Sequence, residues 1–176
     1  MWETKFLLAQ VFGLLAFMIA ICSIVQRSRV GYIYYNLSQN VFSGVQYLLL
    51  NKMVAFYLSI VTIIRLIVYR FKSKYSKALY IIILIFFVVL SLFTSILTFT
   101  YWYDIFPTIA SLLVCFSVWQ DNVVIIKIVF MITKILWGIY ACFTSAYFAI
   151  AMDIFMIIWT IIFISRLNDR KSVNSH

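Results

Sequence analysis

The chain has 176 residues, 66% of them hydrophobic and 11% charged, with 14 basic against 5 acidic side chains, a net charge of +9 and a mean hydropathy of +1.08. A soluble domain of this length cannot bury so much apolar surface, so the composition excludes a fold whose main solvent is water. At roughly 20 residues per spanning helix, seven spans take up most of the chain and exclude a separate nucleotide fold, receptor head or catalytic domain.

Apolar runs predict an all-α polytopic membrane protein with spans over 5–25, 31–50, 53–69, 78–101, 105–119, 123–142 and 145–165. Span 1 lacks a basic leader and a small-residue cleavage site followed by a polar mature chain, so it does not read as a signal peptide. Span 2 carries Asn36, Gln39, Asn40, Ser43, Gln46 and Tyr47 at intervals of three and four, which places them on one helical face. Span 3 holds Arg65 near its end. Span 4 carries the hydroxyl run Ser91, Thr94, Ser95 and Thr98, read as helix packing or back-bonding to its own carbonyls. Pro107, the only proline, opens span 5, where a first-turn proline loses no hydrogen bond; a hinge is the alternative. Span 6 presents Thr133, Lys134, Trp137 and Tyr140, and span 7 presents Asp153 before Arg166 and a short cytoplasmic tail, 167–176. Trp2, Tyr101, Trp102 and Tyr103 fall at one set of span ends, as interfacial aromatics do.

Charge sorts the loops. With the N-terminus outside, ten basic residues fall inside: Arg27, Arg29, Arg70, Lys72, Lys74, Lys77, Lys127, Arg166, Arg170 and Lys171. Only Lys5 and Lys52 fall outside, with Glu3 and Asp104. The positive-inside bias therefore predicts seven helices, N-out and C-in. The same clustering makes the net charge a topology signal and argues against a nucleic-acid partner; the expected partner is the lipid bilayer. The single histidine, His176, is the last residue, which argues against imidazole catalysis or metal ligation. Cys22, Cys115 and Cys142 lie in apolar runs without CxxC spacing and read as small core residues. No cofactor or metal is expected.

Sliding the sequence by 94 positions lays Ser23-Ile24-Val25-Gln26 on Ser117-Val118-Trp119-Gln120 and Gly44 on Gly138. Arg65 and Arg166 are 101 apart, which implies seven extra residues near the turn before the last helix. The expected architecture is two parallel three-helix repeats, 1–70 and 105–166, with a basic loop and linker helix over 71–104 between them (3+1+3). The equivalence sets Asn40, Ser43 and Gln46 opposite Lys134, Trp137 and Tyr140.

Polar side chains in hydrocarbon face protein or a water-filled cavity. The span 2 and span 6 stripes read either as interhelical hydrogen-bond glue or as the lining of a solute cavity made by Asn36, Asn40, Ser43, Gln46, Lys134, Trp137, Tyr140 and Asp153. Lys134 and Asp153 lie on consecutive helices and are expected to pair, as structural partners or as a site coupling a proton or ion. Arg65 and Arg166 are expected to snorkel as anchors; an inner gate is the alternative.

The chain resembles the YgjV-type bacterial inner-membrane proteins. The resemblance is carried by Leu8-Ala9-Gln10-Val11-Phe12-Gly13, Gly44-Val45-Gln46, Arg65, Pro107, Ser117-Val118-Trp119, Trp137-Gly138-Ile139-Tyr140, Asp153 and Arg166, and runs over about 7–166. It departs where the family often has histidine, at Gln46 and Tyr140, which weakens an imidazole proton relay. The resemblance implies a location in the bacterial inner membrane. More distantly the 3+1+3 plan is similar to the SWEET, PnuC and PQ-loop transporters, although Gln26 and Gln120 follow Val25 and Trp119 and no proline.

Two function classes follow. One is a small-solute transporter or facilitator whose halves rock about a midplane cavity suited to a neutral or anionic metabolite. The other is a non-transporting subunit or assembly factor whose polar stripe binds another helix. An enzyme is not expected, since no serine–histidine, HExxH or paired-carboxylate arrangement occurs. The small size leaves a homodimer open.

Overall fold

The computed structural model describes residues 2–25, 29–71, 75–119 and 123–173. Among them are seven helices and no strand: α1 (Trp2–Val25), α2 (Arg29–Leu49), α3 (Met53–Arg70), α4 (Lys77–Thr98), α5 (Ile105–Trp119), α6 (Val123–Phe143) and α7 (Tyr147–Val173), with one 3₁₀ turn at Trp102–Asp104. Gln26, Gln120, Arg27, Lys72, Lys74 and His176 lie outside the described residues, as do the side chains of Trp2, Arg29, Lys77, Lys127, Arg166, Arg170 and Lys171.

Three helices are long and apolar enough to cross a membrane, over Glu3–Cys22, Met53–Arg70 and Ala78–Thr98, and shorter apolar segments run over Trp102–Ser117, Ile128–Phe143 and Tyr147–Ile162. Their outward faces are apolar as well. Leu7, Ile82, Ile96 and Leu97 are all more than 60% exposed, an arrangement that lipid tolerates and water does not.

Two boundaries differ from the sequence expectation for identifiable reasons. Helix α4 stops at Thr98 instead of 101 because the Asp104 carboxylate accepts the backbone N–H groups of Thr100 (3.0 Å) and Tyr101 (2.8 Å) and holds them out of the helix. At its start, the Ser76 hydroxyl accepts from the Leu79 N–H at 3.3 Å and caps the first turn. Helix α7 does not end near 165 but continues through Arg166, Arg170 and Lys171 to Val173. That stretch has no glycine or proline to stop it. At 27 residues it is about 40 Å long, so a helical extension replaces the expected tail.

Six helices close a ring in the order α1, α2, α3, α5, α6, α7, and α4 packs outside it against α3 and α5. The ring is filled by side chains. Tyr47 of α2 meets Trp137 and Tyr140 of α6 at ring-centroid distances of 5.8 and 5.7 Å, inside a core with Ala9, Ala55, Ala141, Ala146 and Ala149. The alanines permit close helix approach.

The α2–α3 and α6–α7 turns have the same geometry. Asn51 and Ser145, 94 residues apart, both have left-handed backbones, with φ of 58° and 56°. The N–H groups of Asn51 and Lys52 donate to the carbonyls of Leu48 and Tyr47, and those of Ser145 and Ala146 donate to Cys142 and Ala141. This double closure satisfies the last carbonyls of α2 and α6. Both turns are three residues long, 50–52 and 144–146. The seven extra residues expected before the last helix are therefore not there. Offset by 94, Arg65 falls on Trp159, and Arg166 stands about two helical turns further along.

The same offset relates the glycine contacts. A Cβ on Gly44 would lie 3.3 Å from Ser59 Cβ, and one on Gly138 would lie 3.7 Å from Asp153 Cβ. Alanine in a helix interior is better than glycine by about 1 kcal/mol. Gly138→Ala is therefore expected to stabilise the protein by up to about that amount, while Gly44→Ala, already too close, gains nothing or loses a similar amount. Thermal unfolding of the two variants in one detergent checks the difference in sign.

Candidate functional site

The two deep charges meet. Lys134 Nζ on α6 lies 3.1 Å from Asp153 Oδ1 on α7, with the lysine side chain 12% exposed and the aspartate 2%. Helices α6 and α7 are antiparallel neighbours joined by a three-residue turn, which brings positions 19 apart to the same level. The methylene stem of Lys134 leads its ammonium past the Phe130 ring, 5.5 Å from the centroid. An ion pair at this depth needs such closeness, because each charge alone would be costly.

The α2 stripe does not face one common space. Asn40 donates to Asn36, to its carbonyl at 2.8 Å and its side-chain oxygen at 3.1 Å, so these two amides are satisfied along their own helix. Gln39 turns to α7, its Nε2 3.2 Å from Met152 Sδ. Gln46 turns to α1, where it lies over Gly13 so closely that a Cβ there would sit 2.5 Å from Gln46 Nε2. Tyr47 faces α6. Gln39, Ser43 and Gln46 are all buried by the chain's own helices, so they offer no surface to another protein's helix in this conformation. The exposed side of α2 is apolar, at Tyr34, Val41 and Leu48.

Several buried polar atoms have no hydrogen-bond partner. Among the described residues these include both polar atoms of the Gln46 carboxamide, Ser43 Oγ and Gln10 Oε1, while the Tyr140 hydroxyl lies against the backbone N–H of Ala55 in the first turn of α3. Gln46 and Tyr140 are fully buried, at 0% exposure. Native proteins rarely leave such groups unpaired unless water or a ligand completes them. Gln46 and Tyr140 are 94 apart, and Tyr47 lies between Gln46 in sequence and Tyr140 in space.

The end of the bundle at Asn51 and Ser145 is closed by cross-links between distant segments. Lys52 Nζ donates to the Tyr103 hydroxyl at 2.8 Å and stands 4.5 Å from the Tyr101 ring centre. Tyr103 stacks on Tyr101 and on Phe143, at 5.1 and 5.4 Å, and touches Tyr140 at 5.9 Å. Across the ring, Gln10 Nε2 donates to the Ser145 carbonyl at 3.0 Å. The aromatic belt expected here is thus partly a packed cap.

Arg65 does not snorkel. It is 2% exposed and reaches sideways to α5. The Arg166 side chain is outside the described residues. Pro107 is buried in the first turn of α5, the position expected for a helix start. A cavity of about 380 Å³ opens between α4 and α5, lined by Leu92, Ser95, Ile96, Phe99, Ile105 and Thr108, away from the α2 and α6 stripes. Among the described residues no cluster of histidine, cysteine, aspartate or glutamate could hold a metal.

Asp104, Gln10 and Gly13 escape a reading based on periodicity. Asp104 looks like a loop acid, yet it is 2% exposed and ends α4. Gly13 gave the only available sign, a small residue facing a long polar one.

A family model described as Imp-YgjV, bacterial inner membrane protein, matches residues 7–171. No curated protein and no solved structure matches significantly. The match covers nearly the whole chain, and the chain belongs to this family of bacterial inner membrane proteins, with apolar helices of the kind that make a multi-pass protein.

Proposed function

We propose that this bacterial inner membrane protein is a small-solute transporter or facilitator in which α1–α3 and α5–α7 move against each other about an interior lined by α2 and α6. The observation that carries the reading is the Gln46 carboxamide, fully buried beside Tyr47 with no partner for either polar atom among the described residues. A polar solute or water that enters when the halves part would supply the missing bonds, and groups that both donate and accept suit a neutral or anionic metabolite.

The division into halves is supported by the position of α4 outside the ring and by the matching turns at Asn51 and Ser145. In this reading α4 carries the chain back across the membrane so that α5 starts on the same side as α1. The basic loops orient the protein with its N-terminus outside and its C-terminus inside. Lys134 and Asp153 sit between α6 and α7 within reach of this interior, as structural partners or as a coupling pair.

Proteoliposome uptake over a panel of uncharged and anionic metabolites tests the proposal. Wild-type protein is expected to move at least one of them, and Gln46→Met to slow it, on the order of tenfold for one lost polar contact worth about 1–2 kcal/mol. Flux no greater than in empty liposomes for wild type and variant alike would sink it.

A further inference from the structure

Arg65 is a buried cation with no anion beside it among the described residues. Its Nη1 donates to the Ser111 carbonyl at 3.3 Å and to Cys115 Sγ at 3.0 Å, and its Nη2 donates to Thr62 Oγ1 at 3.3 Å. These acceptors are all neutral. Among the described residues the one ion pair is Lys134–Asp153, and it uses the only acid on the described helices near mid-depth. Glu3 and Asp104 are at the opposite end of the bundle. A guanidinium kept charged at 2% exposure in an apolar surrounding is costly even with neutral acceptors, and a negative group sharing the site would offset that cost.

A second observation points to the same place. Tyr69, one turn further along the same face of α3, has a buried hydroxyl with no hydrogen-bond partner among the described residues. Its ring is wedged against Tyr80 and Phe87 of α4, at 6.1 Å from each. The α3–α4–α5 wedge thus holds one uncompensated guanidinium and one unused hydroxyl donor, with Val61, Phe87 and Cys115 forming an apolar floor. Arg65 is five residues, about 7.5 Å along the helix, from the exposed Arg70 at the end of α3, a depth within reach of the phosphate level of a bilayer.

We propose that Arg65 and Tyr69 form a binding site for a single phosphate-type oxyanion that enters from the Arg70 end and completes the wedge between α3, α4 and α5. The planar guanidinium fits two oxygens of such a group, and the tyrosine hydroxyl donates to a third position. Two sources share this chemistry: the headgroup phosphate of an anionic phospholipid, and free inorganic phosphate. The site is separate from the α2–α6 interior and does not depend on transport.

The test uses the full chain in nanodiscs of phosphatidylcholine alone, of phosphatidylcholine with phosphatidylglycerol, and of phosphatidylcholine with inorganic phosphate added. Thermal unfolding of wild type is expected to shift upward with phosphatidylglycerol if the source is lipid, or with inorganic phosphate if the source is the free ion. Arg65→Gln removes the charge, so it is expected to equal or exceed wild type in phosphatidylcholine alone and to lose the upward shift. Tyr69→Phe keeps the fold and is expected to weaken the anion titration midpoint about tenfold, the effect of one hydrogen bond to a charged group. No anion-dependent shift in wild type overturns the proposal, as does an Arg65→Gln variant that responds to anion like wild type. Asp121, which follows α5 and lies outside the described residues, is the chain's own alternative counter-ion, and a thermodynamic cycle in which Asp121→Asn and Arg65→Gln are fully non-additive would also overturn the proposal.

Discussion

Lys134→Met is expected to destabilise the folded protein by about 3–5 kcal/mol, the usual consequence of stranding one member of a buried ion pair. The partner left behind, Asp153, is 1% exposed and has no other hydrogen bond to fall back on among the described residues. Asp153→Asn is expected to cost less. The lysine it leaves is 12% exposed on a flexible stem, and its ammonium can be redirected toward water. The double variant Lys134→Met with Asp153→Leu replaces both charges by apolar groups of similar bulk and should recover most of the loss, because hydrophobic replacement of a buried pair is often neutral or stabilising. Equilibrium unfolding in mixed micelles gives all four corners of the cycle. A coupling below about 0.5 kcal/mol would mean that the 3.1 Å contact contributes no more than an exposed pair. If the double variant is stable but no longer supports uptake, the pair is a coupling site in the proposed cycle; if uptake survives, it is scaffolding.

Gln46→Met is expected to act in the opposite sense on stability and in the same sense on uptake. The carboxamide is fully buried and neither its nitrogen nor its oxygen has a partner. Removing a desolvated, unpaired polar group in favour of an apolar one of the same length should stabilise the fold by about 1–3 kcal/mol. Methionine is unbranched and can follow the path of the glutamine over Gly13, where a branched side chain would clash. Tyr140→Phe keeps the ring contacts with Tyr47, Trp137 and Tyr103 and removes a hydroxyl that faces the Ala55 backbone N–H, so it should change stability by less than about 1 kcal/mol. In Gln46→Met, a gain in unfolding temperature combined with lost uptake would mark the carboxamide as kept for a ligand at the expense of stability. A Gln46→Met variant that melts earlier than wild type would mean that the carboxamide is bonded within the protein, and would remove the main support for a solute site there.

The apolar runs were long enough for sequence to locate all seven helices, and the deep charges were few enough to predict the Lys134–Asp153 contact. With only two mid-depth charges on adjacent antiparallel helices, pairing was close to forced. The direction of each polar side chain was harder to read. Helical spacing groups Gln39, Asn40, Ser43 and Gln46 on one face, but that face is wide enough to meet α1, α6 and α7 at different heights. Which neighbour each residue meets is a matter of tertiary packing that periodicity does not encode. Arg65 has a similar ambiguity. Its side chain is long enough to reach the helix end or the next helix, and Cys115, small and apolar in sequence terms, is what leaves room for the second choice. The end of α4 depends on Asp104, six residues beyond Thr98, the last helical residue. No local signal in the preceding segment marks the stop.

The clasps at the Asn51 and Ser145 end join opposite halves. Lys52, in the turn after α2, holds Tyr103 at the entrance to α5, and Gln10 of α1 holds the turn after α6. At the other end, the described bond between Arg70 and Tyr34 joins α3 to α2 and stays within one half. If the halves part as proposed, the first end has to break two contacts on opposite sides of the ring in the same event, whereas toward the second end the described links between halves include the one from Arg65 of α3 to Ser111 and Cys115 of α5. In the proposed cycle, opening at the Asn51 and Ser145 end would then be set by the slower of two releases, a coincidence that neither contact imposes alone.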